Sequence, residues 1–142
     1  MSAEEGQNAG EQLGEFASCP LHLVCRNTPP ADVIESLLRV APDVVEWADI
    51  FGWLPLHYAC ANGASFEVIH MLIVACPHST VTADKKGRTP LHFGLNLQKQ
   101  ASVESIRELA SAAGAAKLPD ENAMLPLHYA CAYGATEVSM LI

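Results

Sequence analysis

Residues 55–63 read Pro55-Leu56-His57-Tyr58-Ala59-Cys60-Ala61-Asn62-Gly63, and residues 67–73 read Glu67-Val68-Ile69-His70-Met71-Leu72-Ile73. The Pro-Leu-His at the head of this stretch recurs as Pro20-Leu21-His22, Pro90-Leu91-His92 and Pro126-Leu127-His128, so the four prolines are 35, 35 and 36 residues apart. A near-constant period of this size means one structural unit copied and stacked. The question of function therefore moves from a catalytic cleft to a surface.

Aligned on their histidines, the copies each contain two helical stretches. The second stretch has apolar residues at helical spacing. In the first copy Asp32-Val33-Ile34-Glu35-Ser36-Leu37-Leu38 falls at the same offset. In the third, Glu104-Ser105-Ile106-Arg107-Glu108-Leu109 comes two residues late because the loop from Asn96 to Ala101 is longer; in the fourth, Glu137-Val138-Ser139-Met140-Leu141-Ile142 comes one residue early. Each proline suits a first helical position, where its missing N–H costs nothing. Thr28, Ser65, Ser102 and Thr136 are the expected caps of the second helices, with Glu67, Glu104 and Glu137 near the positive helix end. Between copies, Asp49-Ile50-Phe51-Gly52 and Asp84-Lys85-Lys86-Gly87 have the composition of tight turns. The third connection, Asp120-Glu121-Asn122-Ala123, has alanine where the others have glycine. A positive φ is costly for alanine, so Asn122 is expected to assist or the turn to be distorted.

Composition narrows the class. Half of the 142 residues are hydrophobic, enough for one continuous core but not for two independent domains. The longest apolar run, Val68 to Cys76, is interrupted by His70 and falls well short of the roughly 20 residues of a membrane span. Residues 1–15 are acidic, small and polar, without an apolar stretch of the signal-peptide kind. They read as a disordered acidic tail, and the chain as cytoplasmic or nuclear. Five cysteines, Cys19, Cys25, Cys60, Cys76 and Cys131, are an odd number and read as reduced, buried small residues. The net charge of −8 includes Glu4, Glu5, Glu11 and Glu15, which leaves the rest near −4. That balance argues against non-specific attraction to nucleic acid; the local exception is Lys85, Lys86 and Arg88.

The phased copies resemble the ankyrin repeat family. The likeness rests on Pro-Leu-His followed by Tyr58-Ala59 and Tyr129-Ala130, on Gly63 and Gly134 after the first helices, on Glu67-Val68 and Glu137-Val138, and on the Asp-x-x-Gly turns. It implies an all-α helix-turn-helix solenoid with short β-hairpin-like connecting turns over residues 16–142, with repeats at about 16–50, 51–85, 86–121 and an incomplete 122–142. The threonine usual before the proline survives only as Thr89; Cys19, Leu54 and Leu125 stand elsewhere. His22, His57 and His128 therefore need partners other than that hydroxyl. The third copy, with Phe93-Gly94-Leu95 where small residues are usual, is expected to be the least regular. The fourth stops at Ile142 within its second helix. Since arrays need polar capping repeats, this predicts a longer parent chain.

Two chemical readings of the repeated residues can be weighed. His22-x-x-Cys25, His57-x-x-Cys60 and His128-x-x-Cys131 place two metal-ligand types on one helix face. Equivalent residues of stacked helices stand roughly 8–10 Å apart, too far to complete a zinc site. A Cys/His nucleophilic pair lacks an orienting third group and an oxyanion site. No catalytic residue, metal or cofactor is expected, and His70 and His78 read as partly exposed helix and turn residues.

Binding is the stronger case, because stacked repeats present an extended concave surface. The resemblance places variable contacts at the turn tips and on the exposed side of the first helices. Here these are Ile50, Phe51 and Trp53; Lys85, Lys86 and Arg88; Glu121, Asn122 and Met124; and Arg26, Asn27, Ala61, Asn62, Asn96, Leu97, Ala132 and Tyr133. Phe51 and Trp53 beside a basic tip suit a protein partner that presents an apolar anchor next to an acidic segment. The alternative for Trp53 is packing on the adjoining hairpin. The expected function is a non-catalytic interaction scaffold, monomeric or part of a larger chain, without nucleic-acid or membrane partners. The competing readings are a recognition arm of an enzyme or membrane protein continuing beyond residue 142, and a structural spacer.

Overall fold

The computed structural model describes residues 20–27, 29–95, 101–112 and 114–132. In chain order the elements are α1 (Pro20–Cys25), α2 (Ala31–Val40), the 3₁₀ helix η1 (Pro42–Glu46), α3 (Pro55–Ala61), α4 (Phe66–Ala75), η2 (Pro77–Val81), α5 (Pro90–Gly94), α6 (Val103–Ala110), η3 (Ala115–Lys117) and α7 (Pro126–Ala132). All four Pro-Leu-His motifs open a helix, and the described residues contain no strand. The first helices α1, α3, α5 and α7 touch in succession, and α2, α4 and α6 form a parallel second row.

The core runs between the two rows. Leu21, Leu56 and Leu91 of the motif are fully buried, opposite Ile34, Ile69 and Ile106 of the second row. Ile106 is displaced by two residues from strict register, as the longer loop of its copy requires. Each such side chain contributes about 1.5–3 kcal/mol by leaving water. The third copy is the irregular one: α5 has 5 residues where α3 has 7. A Cβ at Gly94 would lie 2.9 Å from Ile106 Cδ1, so glycine lets α6 approach α5 closely.

The connecting turns are hairpin-like. Asp49 N–H donates to Trp53 O (3.0 Å) and Gly52 N–H to Asp49 O (2.9 Å). The same pair of bonds closes Asp84 with Arg88 and Gly87, and Asp120 with Met124 and Ala123. Successive tips are laced together by Lys85 N–H to Phe51 O (3.1 Å) and Glu121 N–H to Lys86 O (2.8 Å). Gly52 has φ +78, and a Cβ there would meet Lys85 N at 2.9 Å, so this position requires glycine twice over.

Several expectations need correction. Ala123 does not distort its turn: it adopts φ 63 and keeps the bonding of the other two. The bonds gathered by Asp120 outweigh the roughly 1–2 kcal/mol that a left-handed Cβ costs. The cap position of α2 falls on Pro30, which makes no side-chain cap bond, and the helix begins at Ala31. Pro29 is held out of the α region by the proline that follows it, which delays the start; Thr28 and Thr136 lie outside the described residues. Ser65 and Ser102 do cap α4 and α6, accepting from Val68 N–H and Ser105 N–H. Cys131 is exposed, unlike buried Cys25, Cys60 and Cys76, and Leu127 and His128 are exposed beside it. Among the described residues, α7 packs chiefly on α5 and η3. Cys19 lies outside the described residues.

Candidate functional site

Three aspartates set the geometry of the tips. Oδ1 of Asp49 accepts the backbone N–H groups of Phe51 (2.9 Å) and Trp53 (3.0 Å). Asp84 does the same with Lys86 and Arg88, and Asp120 with Asn122 and Met124. The second carboxylate oxygen is used differently at the middle turn. Tyr58 donates its hydroxyl to Asp49 Oδ2, and Tyr129 donates to Asp120 Oδ2. The equivalent ring above Asp84 is Phe93, which has no hydroxyl. Asp84 Oδ2 instead accepts the Trp53 indole N–H (3.0 Å) and pairs with the Arg88 guanidinium (Nη2 at 3.0 Å).

The histidines tie each copy to the next. Nε2 of His22 donates to Trp53 O (2.9 Å), that of His57 to Arg88 O (3.2 Å) and that of His92 to Met124 O (2.9 Å). Nδ1 accepts from the residue before the motif's proline: Leu54 N–H at His57, Thr89 N–H at His92 and Leu125 N–H at His128. A backbone N–H thus does the work of the missing threonine hydroxyl; at His92 the Thr89 hydroxyl also lies 3.0 Å away. With both ring nitrogens of His57 and His92 engaged, neither offers a lone pair to a metal. Burial depresses the pKa of His22, His57 and His92, that of His57 to about 4. Burial pushes the Cys60 thiol upward, as does neighbouring Cys25. A neutral imidazole beside a protonated thiol is the reverse of an activated nucleophile pair.

The first two tips and the exposed flank of α3 enclose a cavity of about 600 Å³, within the range of ligand-binding clefts. It brings together Ile50, Phe51, Trp53, Asn62, Lys85, Lys86 and Arg88 from the sequence-derived set, with Arg26 and Ala61 completing the α1 and α3 side. Met124 stands at the third tip, away from this cavity. Asn96, Leu97 and Tyr133 lie outside the described residues.

The walls are aromatic. Trp53 meets Tyr58 at 4.8 Å and Phe93 at 4.7 Å between ring centroids, both edge-on, and Phe51 at 6.3 Å. Trp53 is thus packed onto the adjoining hairpin as well as facing the cavity, while Phe51 remains 46% exposed. The Arg88 guanidinium sits 4.8 Å from the Phe93 centroid and is paired with buried Asp84, so it is part of the wall. Lys85 and Lys86 are exposed and enter no ion pair among the described residues; Arg26, also exposed, lies over Tyr58 at 5.9 Å. They give the rim a positive charge.

Sequence reasoning missed Tyr58 and Asp84 as cavity residues. The signal was available in the register Tyr58, Phe93, Tyr129: the middle copy lacks a hydroxyl, which frees the Asp84 carboxylate for Trp53 and Arg88.

A stack of Pro-Leu-His helix pairs joined by Asp-based hairpins is matched over residues 21–115 by the family described as ankyrin repeats, in three copies. The chain belongs to the ankyrin repeat family. No curated protein sequence matches it. Ankyrin repeats are generally protein–protein interaction modules and typically non-catalytic. The cavity of this ankyrin array lies between its first two tips and α3. No helix of the described residues is long and apolar enough to cross a membrane.

Proposed function

We propose that this ankyrin array, as part of a repeat domain over residues 16–142, is a scaffold that captures a protein segment in the cavity between its first two tips. The segment has a large apolar side chain next to carboxylates. The carrying observation is that an aromatic wall of Phe51, Trp53 and Tyr58 lines one cavity with Lys85 and Lys86, which enter no ion pair among the described residues. The apolar anchor would displace water from the rings, where interface energy concentrates, and the carboxylates would meet the basic rim, which speeds encounter and fixes orientation. The neutral, backbone-bonded histidines and the raised Cys60 thiol support a role without covalent chemistry.

Selection from a random-peptide display library against the full chain tests this. The expected winners carry Asp or Glu beside Phe, Leu, Ile or Trp and lose about tenfold or more in affinity to Phe51→Ala. Winners without carboxylates, or binding the variant equally well, contradict it. A spacer would enrich nothing.

A further inference from the structure

Outside the cavity, three different metal-ligand types converge at the junction of the first two copies. Glu46 ends η1, Cys76 caps α4, and His78 lies in η2. One ligand atom from each falls within 4.8 Å of the others. Cys76 Sγ lies 3.6 Å from His78 Nδ1 and 3.8 Å from Nε2. For a tetrahedral zinc ion with Zn–S of about 2.3 Å and Zn–N of about 2.0–2.1 Å, the sulfur–nitrogen edge is about 3.6 Å. The Sγ–Nδ1 distance matches that edge, but a sulfur nearly equidistant from both nitrogens lies off either lone-pair axis, so ion binding turns the exposed His78 ring to aim one nitrogen at the metal.

The backbone that carries these side chains is fixed. Cys76 N–H donates to Leu72 O (3.1 Å), and Cys76 O accepts Ser79 N–H (3.1 Å) and Ser79 Oγ–H (2.6 Å). Thr82 Oγ1–H donates to His78 O (3.0 Å). Pro77, between the two ligands, restricts the turn that brings them together. A thiol–imidazole contact alone accounts for Cys76 and His78 but not for the approach of Glu46 from another copy.

The repeat itself does not require these residues. One period earlier, Ala41 and Asp43 occupy the places of Cys76 and His78; one period after Glu46 stands Val81. Ala41 caps α2 as Cys76 caps α4, so packing there accepts a methyl group. The three ligands thus belong to this junction and not to the stacking pattern.

We propose that Glu46, Cys76 and His78 form a binding site for one zinc-class divalent cation that clamps η1 to η2. Thiolate, imidazole and carboxylate together suit a borderline-soft ion over magnesium or calcium. Binding releases the Cys76 thiol proton to solvent and leaves a fourth position for water, since Glu46 and His78 are exposed.

Cobalt(II) titration of the full chain at neutral pH tests the site. The expected result is one equivalent bound with a thiolate-to-cobalt charge-transfer band, displaced by zinc. Cys76→Ser should abolish the band while circular dichroism shows a folded chain, and Cys131→Ser should leave it intact. Because His78 is exposed, His78→Ala should fold normally and weaken binding at least about tenfold, removing the zinc-dependent rise in melting temperature. No band in excess cobalt, a band that survives Cys76→Ser, or undiminished affinity in His78→Ala overturns the proposal.

Discussion

Trp53 donates its indole N–H to Asp84 Oδ2 at 3.0 Å, taking the place that a tyrosine hydroxyl holds at the turns of Asp49 and Asp120. The middle hairpin is therefore held by a side chain from the preceding tip. The same ring forms a wall of the cavity, so structure and proposed binding share one residue.

Trp53→Phe keeps an aromatic wall and removes the donor. A loss of about 1 kcal/mol is expected in urea unfolding, the usual net value of such a bond. Adding Phe93→Tyr should recover most of it by supplying the hydroxyl that the other two turns use. A double variant no more stable than the single one contradicts this account of the middle turn.

The buried histidines make stability depend on pH. Their folded pKa values lie below the unfolded value near 6.5, so the unfolded chain binds more protons between the two. Stability is full above about pH 6.5 and is lost as pH falls toward the folded value of about 4 for His57. For His57 alone the span amounts to about 3 kcal/mol at order of magnitude. Urea midpoints measured from pH 7.5 down to 4.5 should fall steadily; a flat profile would mean that these rings are not held neutral.

Equivalent turn positions should respond with opposite sign. Gly52→Ala forces a side chain into φ +78 and against Lys85 N at 2.9 Å, and should cost about 2 kcal/mol or more. Ala123→Gly removes the penalty at φ 63 and should gain up to about 1 kcal/mol after the glycine's extra chain entropy is subtracted. Thermal melts of the two variants check both; a stabilising Gly52→Ala would contradict the tip-to-tip packing.

How far the sequence determines such features shows in α3 and α7, which have the same seven residues, Pro-Leu-His-Tyr-Ala-Cys-Ala. His57 and Cys60 are fully buried, while His128 and Cys131 are exposed. Periodicity identifies the helix start and the residue types that suit a core. Burial depends on what packs on each side, which local pattern does not encode. The tips behave similarly. The glycine and aspartate spacing announces the hairpins, and the grouping of Phe51 with Lys85 follows from the period. That Arg88 is neutralised by Asp84 depends on Phe93 lacking a hydroxyl, a contact made across copies. Two of the 3₁₀ helices, η1 and η2, begin at Pro42 and Pro77, one period apart, and the convergence of Glu46 on Cys76 and His78 becomes visible only once those helices are placed.

The chain has two tryptophans, so Trp47→Phe leaves Trp53 as the single reporter inside the cavity. Titrating that protein with a library-selected peptide bearing an apolar residue beside carboxylates tests the binding claim most directly. The account predicts a saturable change in Trp53 emission at one peptide per chain. Lys85→Glu with Lys86→Glu, or Phe51→Ala, should weaken it about tenfold or more without moving the melting temperature. Tight binding that leaves Trp53 emission unchanged, or that survives both sets of substitutions, would contradict it.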